Sequence, residues 1–388
     1  HLEAKTTLCG RARTERQNDD AFARLLRWGR LSGLGLVVRM DSMRMIGKHV
    51  TEPPGGDKTD NLPSVAFIVL AGEDADKLIG CLETIARQEY PEKLVRTIFV
   101  GSRSRGGEVD VARRFGAAVM TCAQEDVSAR ISLGIGNTNS DIVFVIGADS
   151  GLSRTDWIRL MIRPFIERAE VAGVFTQMVE VPSEGAFARY LCRINGDLFA
   201  WFVHGDNANP RHCRGINKAA GSGEGYVIHS YHATRPPFIP ADHGVGVRRS
   251  ALPGAGGGNG TEVPLVQLVE SGQSVAFVPV AGIHHQNADG LWGFVKECHM
   301  LLRASPDGWP VCAEQHPSHR SRWRRIRKHF FVIYGLTVVM PLIDGMWLSV
   351  LEKNACMLWH GPAAIFMSWL MLIERARRLV AGGPPGKQ

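Results

Sequence analysis

The chain has 388 residues, 45% of them hydrophobic and 21% charged, with a formal net charge of +7. This is the composition of a globular protein that can bury a core, and the length favours two domains or one domain with appendages. The eight cysteines form no CxxC pair, which argues against a zinc site or a disulfide framework and favours a reducing, cytoplasmic setting.

The first 60 residues lack the pattern of a folded domain. The chain begins with His1, its first methionine is Met40, and the apolar run at residues 31–38 is too short to span a bilayer. Residues 51–61 are rich in Gly, Pro and Asp, as linkers are. We expect residues 1–60 to form a poorly ordered N-terminal extension and linker.

From residue 64 onward, short apolar strands alternate with amphipathic helices. Such alternation predicts right-handed crossovers and a parallel sheet with helices on both faces, and ligands bind such sheets beyond the carboxyl ends of the strands. The pattern places strands at residues 64–72, 95–102, 117–122 and 140–149, and helices at residues 74–88, 107–116 and 126–137. Asp149 directly follows the fourth strand, where it is either a metal ligand or an ordinary loop aspartate.

The middle of the chain contains a predicted strand at residues 172–181 and a predicted helix at residues 185–203. The glycine-dense stretch at residues 240–262 has the composition of a mobile loop near a ligand. Beyond it we expect a helix that ends at Gly272, then a strand, then a pair of histidines.

Two apolar stretches, residues 330–351 and 356–373, follow a cluster of six cations at residues 320–328. In the first, about twelve Leu, Ile, Val and Phe residues contribute roughly −4 to −7 kcal/mol to insertion, against about 3 kcal/mol for Asp344. Cations flank both outer ends, which predicts a membrane hairpin with both ends in the cytoplasm. The alternative is a buried or interfacial helical hairpin. On either interpretation, the cations are explained by contact with lipid headgroups and not by binding to nucleic acid.

The order of these features over residues 63–305 resembles the family 2 glycosyltransferases, membrane-associated enzymes with a GT-A fold. The stretches "AAGSGEGYVIHS" and "PADHGVGVRRSAL" are most similar to the exopolysaccharide-assembly branch. The resemblance implies an α/β fold with a GT-A-like mixed, mainly parallel sheet flanked by helices. Together with the C-terminal pattern, the resemblance divides the rest of the chain into four segments. These are a glycosyltransferase domain (residues 61–310), a basic juxtamembrane segment (311–328), a hairpin of two transmembrane helices (329–374) and a basic tail (375–388).

The resemblance also assigns residues to a nucleotide-sugar donor. The family's loop after the first strand corresponds to "LAGED", its loop after the second to "VGSRSRGG", and its metal motif to "GADSGLSRTDW". The donor-binding residues implied are Ala71, Glu73, Ser102, Arg130, Ala148 and Asp149. Arg130 is alternatively a solvated helix cation.

The implied metal is Mg²⁺ or Mn²⁺, which would neutralise the leaving diphosphate. Gly147 takes the place of the first of the family's two metal-binding aspartates, which leaves Asp149 in the place of the second. Mg²⁺ retains several waters, so one or two carboxylates and the phosphates can suffice.

An inverting transferase needs a general base for the acceptor hydroxyl. The family's motif falls on "GTEVPLVQLVESG", where Glu262 is the available carboxylate, and Asp242 in "PADHG" is the second candidate. Glu262 is alternatively a helix-capping residue that favours the N-terminal dipole. The resemblance further assigns His285 and Arg303 to the acceptor or the diphosphate.

The sequence thus predicts a metal-dependent, inverting glycosyltransferase. It would transfer a sugar from a nucleotide-sugar to a lipid-linked or polysaccharide acceptor, with its catalytic domain on the cytoplasmic face of the inner membrane. The alternative is a catalytically degenerate, glycosyltransferase-like membrane scaffold, since several motif positions depart from the family pattern. A dinucleotide-dependent oxidoreductase is disfavoured, because no GxGxxG follows the first strand.

Overall fold

The central element is a nine-stranded sheet with the strand order β3-β2-β1-β4-β9-β6-β10-β8-β7, beside a separate pair, β5 and β11. The strands are β1 Val65–Leu70, β2 Val95–Gly101, β3 Ala118–Thr121, β4 Ile142–Gly147, β5 Ser150–Leu152, β6 Val171–Phe175, β7 Ala219–Gly223, β8 Tyr226–His229, β9 His243–Arg248, β10 Ser274–Phe277 and β11 Ile283–His285.

The computed structural model describes only part of the chain. The described residues all belong to one unit, Lys58–Gln388, and are 62–72, 74–101, 106–124, 126–181, 183–204, 219–229, 243–252, 264–286, 290–304 and 322–380. The predicted extension at residues 1–60 lies outside them.

The first four large strands are parallel, as the alternating pattern predicts, with β1 between β2 and β4. Every residue of β1 and β4 is buried. Two apolar core clusters, one on each face of the sheet, cover these strands. Strands that are buried on both faces have continuous apolar sequences, which is why they can be recognised without alternation.

Four helices connect the strands of this half: α1 Ala75–Ala86, α2 Gly106–Arg114, α3 Val127–Gly136 and α4 Trp157–Glu167. Asp74 caps α1 by accepting hydrogen bonds from the backbone of the first turn, and Asp126 caps α3 in the same way. The buried residues of α1 recur at helical spacing, so the helix packs one face onto the sheet.

Strand β9 makes the sheet mixed, because it is antiparallel to both of its neighbours, β4 and β6. Strand β8 is antiparallel to β10 and β7, and the other seven strands share one direction. The expected α/β fold with a mixed, mainly parallel sheet flanked by helices is confirmed.

Two predicted elements of the middle region differ from the structure. The strand predicted at residues 172–181 ends at Phe175, where the Thr176 hydroxyl donates to Val278 O and accepts from Gly282 N. The helix predicted at residues 185–203 is interrupted, because Asn195 and Gly196 have φ values of 61° and 79°. It is divided into α5 Ala186–Arg193 and α6 Leu198–His204.

From Pro264 onward, the described chain is mainly helical and also contains β10, β11 and a 3₁₀ turn at Ala355–Trp359. Its helices are α7 Pro264–Glu270, α8 Gly290–Ala304, α9 Arg322–Leu336, α10 Val339–Leu351 and α11 His360–Val380. A third apolar core cluster joins α9–α11 to α5, α6 and α8.

The first predicted membrane helix is bent within its apolar stretch. The axes of α9 and α10 meet at 89°, at a break where Val338 has a φ of 59°. Pro341 lies in the first turn of α10, the position in a helix where a missing N–H is tolerated. Within the part of the chain that the structure describes, one helical segment, Ala355–Val380, could cross a membrane by length and composition. The bent pair of α9 and α10 would count as a second only if it formed one broken span.

Substituting Gly246 of β9 should destabilise the fold. A Cβ there would collide with the ring of Phe144 and lie 2.7 Å from Val174 Cγ2. We expect Gly246→Ala to cost about 1–3 kcal/mol, as overpacking does, and to lower the melting temperature. Gly107→Ala is the matched control, because a Cβ at Gly107 meets nothing within 4 Å. Equal melting temperatures for the two variants would contradict this close contact.

Candidate functional site

The candidate site lies where the parallel strands of the first half end. The N–H of Ala71 donates to Val100 O and the N–H of Ala148 donates to Leu70 O, both at 3.0 Å, so β1, β2 and β4 end side by side. Ala148 is buried and Ala71 is half-buried. Two of the residues predicted to bind a donor therefore line the carboxyl edge of the sheet, where open α/β sheets bind ligands.

Asp149 is held in the turn between β4 and β5. Its carbonyl accepts a hydrogen bond of 2.9 Å from the N–H of Gln286, while its carboxylate is 35% exposed. The backbone thus fixes the residue without occupying the side chain. The carboxylate remains available to a ligand.

His285 is the nearest ionisable partner of Asp149. Strand β11 pairs with β5 so that His285 lies opposite Ser150. This register brings His285 Nδ1 to 3.5 Å from Asp149 Oδ1 and to 3.2 Å from Ser150 Oγ. The structure therefore brings together two residues that the sequence assigned to separate roles.

These two side chains fit a divalent cation. Cis ligands of an octahedral ion lie about 3 Å apart at metal–ligand distances of about 2.1 Å, close to the observed separation of the oxygen and nitrogen. A carboxylate suits Mg²⁺ or Mn²⁺, and an imidazole nitrogen favours transition metals. Among the described residues no group of three or more His, Cys, Asp or Glu could hold a metal, so Asp149 and His285 are the two candidate ligands in the described part of this site.

Two cationic groups border the same edge. Arg130 Nη1 donates to Ala71 O at 3.2 Å, which places the guanidinium at the end of β1. Arg130 Nε is buried with no hydrogen-bond partner among the described residues. Lys77 Nζ donates to Gln286 O at 3.2 Å, directly after His285. Both cations lie where an anionic ligand that bound at the strand ends would be found.

Two further residues next to the site carry no signal in the sequence. The ring of His243 is 5.2 Å from the ring of His285, because β9 begins beside the end of β4 and pairs His243 with Ile146. Glu297 of α8 has a raised pKa, chiefly because neighbouring protein atoms desolvate its carboxylate, although the residue keeps an exposed surface. The charges of His285 and Lys77 lower the pKa of Glu297, and the charge of Asp149 raises it. Glu297 therefore faces the same cluster.

Cys81 lies beneath the strand end and is not a nucleophile. Its thiol donates to Gly147 O at 3.6 Å. Burial raises the pKa of Cys81, and the charge of Asp149 raises it further. The thiol therefore stays protonated and supports the backbone at Gly147.

Of the remaining predicted residues, Arg303 is the one that the structure describes, and it lies away from this cluster. Arg303 is exposed in the last turn of α8, and 13 residues of helix carry it about 20 Å beyond Gly290. Glu73, Ser102, Asp242 and Glu262 lie outside the described residues.

No family model and no curated protein matches the chain. Among solved structures it is similar to a mannosyltransferase, PcManGT, from Pyrobaculum calidifontis in complex with GDP-Man and Mn²⁺, with 13% identity and a TM-score of 0.43 over 84% of this chain and 89% of that one. It is also similar to mannosyl-3-phosphoglycerate synthase from Rubrobacter xylanophilus, with 16% identity and a TM-score of 0.39 over 62% and 72% of the two chains.

A third similar structure is glucosyl-3-phosphoglycerate synthase from Mycobacterium tuberculosis in complex with Mn²⁺, UDP and glucosyl-3-phosphoglycerate. The identity is 13% and the TM-score 0.37, over 62% of this chain and 79% of that one. All three neighbours are glycosyltransferases by name. Similarity at this level is too low to assign a function to this chain.

The pair Asp149 and His285 should bind Mn²⁺, and more tightly than Mg²⁺ because one ligand is an imidazole nitrogen. Removing a residue that only hydrogen-bonds to a metal ligand lowers metal affinity about 10- to 100-fold. We therefore expect Asp149→Asn and His285→Asn each to lower the affinity for Mn²⁺ at least as much. Titration of the full chain with Mn²⁺, followed by electron paramagnetic resonance, measures this.

Asp156→Asn is the matched control for that titration. The Asp156 carboxylate is 34% exposed, almost as much as that of Asp149, but it is paired with Arg154 at 2.7 Å. This variant should bind Mn²⁺ like the wild type. Unchanged Mn²⁺ affinity in Asp149→Asn would exclude the pair as a metal site.

Proposed function

We propose that the protein is a metal-dependent glycosyltransferase that transfers a sugar from a nucleotide-sugar donor to a lipid-linked or glycan acceptor. The observation that carries the proposal is the pairing of Asp149 with His285, 3.5 Å apart, at the carboxyl edge of the sheet. Ala71, Ala148 and Arg130 line the same edge. This set of side chains and backbone groups suits both a metal ion and a diphosphate.

Each of the site residues that the structure describes has a role in this proposal. Asp149 and His285 hold Mg²⁺ or Mn²⁺, and the bound ion supplies charge neutralisation for a leaving nucleoside diphosphate. Arg130 and Lys77 provide further positive charge at the strand ends. Ser150 Oγ lies 3.2 Å from His285 Nδ1, and the ion replaces this contact when it binds that nitrogen.

The acceptor needs a general base, and Glu262 and Asp242 are the two candidates. In an inverting displacement the base takes the proton of the acceptor hydroxyl. The acceptor oxygen then bonds to the anomeric carbon as the bond to the diphosphate breaks.

The proposed location is the inner membrane, with the catalytic domain on its cytoplasmic face. Support comes from the apolar helical segment Ala355–Val380 and from the cations at both ends of the C-terminal region. A membrane location suits an acceptor that is attached to a lipid.

Nucleotide-sugar binding should require the metal. We expect one of the UDP-, GDP- or dTDP-sugars to raise the melting temperature of the chain with Mn²⁺ present and not without it. Asp149→Asn should abolish the shift, while Asp156→Asn should keep it. A wild-type chain that shows no metal-dependent shift with any of these donors would instead support the catalytically degenerate membrane scaffold.

The two candidate bases can be separated by kinetics. A positioned general base contributes about 10²–10⁴-fold to rate. Glu262→Gln should therefore lower kcat by at least about 100-fold and leave the KM for the donor nearly unchanged. Asp242→Asn should leave kcat within a few fold if Glu262 is the base. The reverse result would assign the base to Asp242, and two unaffected variants would exclude both.

A further inference from the structure

Helix α11 contacts the rest of the unit at both of its ends. At its start, His360 Nδ1 lies 3.1 Å from the hydroxyl of Tyr190 in α5. Near its end, Arg378 Nη2 donates to Leu302 O of α8 at 2.6 Å. A helix of 21 residues is about 31 Å long, so α11 lies along the unit. A helix that crossed the bilayer would carry one end about 30 Å away from a unit in water.

The turn between the two apolar stretches is also held on the unit. Arg193 of α5 donates to Glu352 Oε2 at 3.0 Å and pairs with Glu180, which follows β6. The three side chains are only 18–20% exposed. A hairpin of two transmembrane helices would place residues 352–354 on the far side of the membrane. The ion pairs hold this turn on the same side as the sheet.

The outer surface of α9–α11 is apolar. Of the 23 large apolar side chains that are exposed among the described residues, 18 lie within residues 330–380. They include Ile333, Ile343, Met346, Trp347, Trp369 and Ile373. We call the outward surface of α9–α11 that carries these 18 side chains the apolar face. A surface this rich in large apolar groups marks a contact with a membrane or a protein.

A basic rim, formed by Arg375, Arg377 and Arg378 at the end of α11, lies at one edge of the apolar face. Helices α9 and α11 are antiparallel, since Ser368 donates to Phe331 O while Gly335 approaches Ala364. This register brings the beginning of α9, whose sequence is "RWRRIRK", beside the end of α11, which contains Arg375, Arg377 and Arg378. A basic rim around an apolar surface complements anionic lipid headgroups.

We infer that the apolar face lies flat in one leaflet of an anionic phospholipid membrane and that α9–α11 do not span it. The chain enters and leaves this layer on the side of the sheet. The 89° bend between α9 and α10 fits this arrangement, because it turns the chain along the surface of the unit. The inference depends on neither the donor nor catalysis, so it can fail or hold independently of the proposed function.

The side on which residue 353 is exposed tests this topology. Lys353→Cys and, as the reference on the unit, Glu170→Cys are expressed in the full chain, since both positions are exposed. Sealed membrane vesicles of both orientations are treated with a membrane-impermeant maleimide, and the labelled peptides are identified by mass spectrometry. We expect both positions to be labelled from the same side. Labelling of position 353 from the opposite side would overturn the inference in favour of two spans.

Vesicle flotation tests the lipid contact itself. The chain is mixed with phosphatidylcholine vesicles that contain or lack phosphatidylglycerol. Ile343→Glu and Trp369→Glu should each reduce the bound fraction at least about tenfold, given the cost of a carboxylate in lipid. Ile166→Glu is the matched control, because Ile166 is an equally exposed isoleucine outside the apolar face, and it should bind like the wild type.

Arg377→Gln tests the basic rim, since Arg377 is exposed at the end of α11. It should weaken binding to the anionic vesicles about fivefold and leave binding to the neutral vesicles unchanged. A wild-type chain that stays lipid-free and soluble, alone or as a dimer that buries the apolar face, would overturn the inference.

Discussion

The pairing of the short strands β5 and β11 is the interaction on which the candidate site depends. It joins segments that are more than 130 residues apart and sets His285 opposite Ser150, beside Asp149. The segment before β11 is fixed by side chains as well as by the ladder. Trp157 Nε1 donates to Gly282 O at 2.7 Å, and Ser153 Oγ donates to Ala281 O at 2.6 Å. Gly282 has a φ of 53° and lies so close to Val179 that a larger residue would not fit.

Much of the fold is recoverable from the sequence because its first half is built from local signals. Strands buried on both faces are continuous apolar runs, and caps such as Asp74 mark the helix starts. The antiparallel insertion of β9 is a long-range pairing with no local signal. His243 therefore comes next to His285 without a local sequence signal, and Glu297 in α8 interacts with the same cluster through its charge.

The C-terminal region shows why a hydropathy sum does not fix topology. On an insertion scale Asp344 counts as a cost, but here its carboxylate accepts a 2.7 Å hydrogen bond from the hydroxyl of Tyr334. That hydroxyl also lies 3.1 Å from His360 Nε2, and the other ring nitrogen of His360 faces Tyr190. The polar groups thus join the apolar helices to α5, and half of the apolar window of the candidate span is buried inside the unit. A sum over residues cannot contain partners that come from elsewhere in the chain.

Helix α8 links the candidate site to the apolar layer. It begins five residues after His285, carries Glu297 beside the site, and ends where Leu302 O accepts from Arg378 of α11. Its 15 residues span about 22 Å as one rigid element. A helix, and not a linker, therefore connects the candidate site with the apolar face. If that face lies in a leaflet, the sheet edge is held at a fixed position relative to the headgroups.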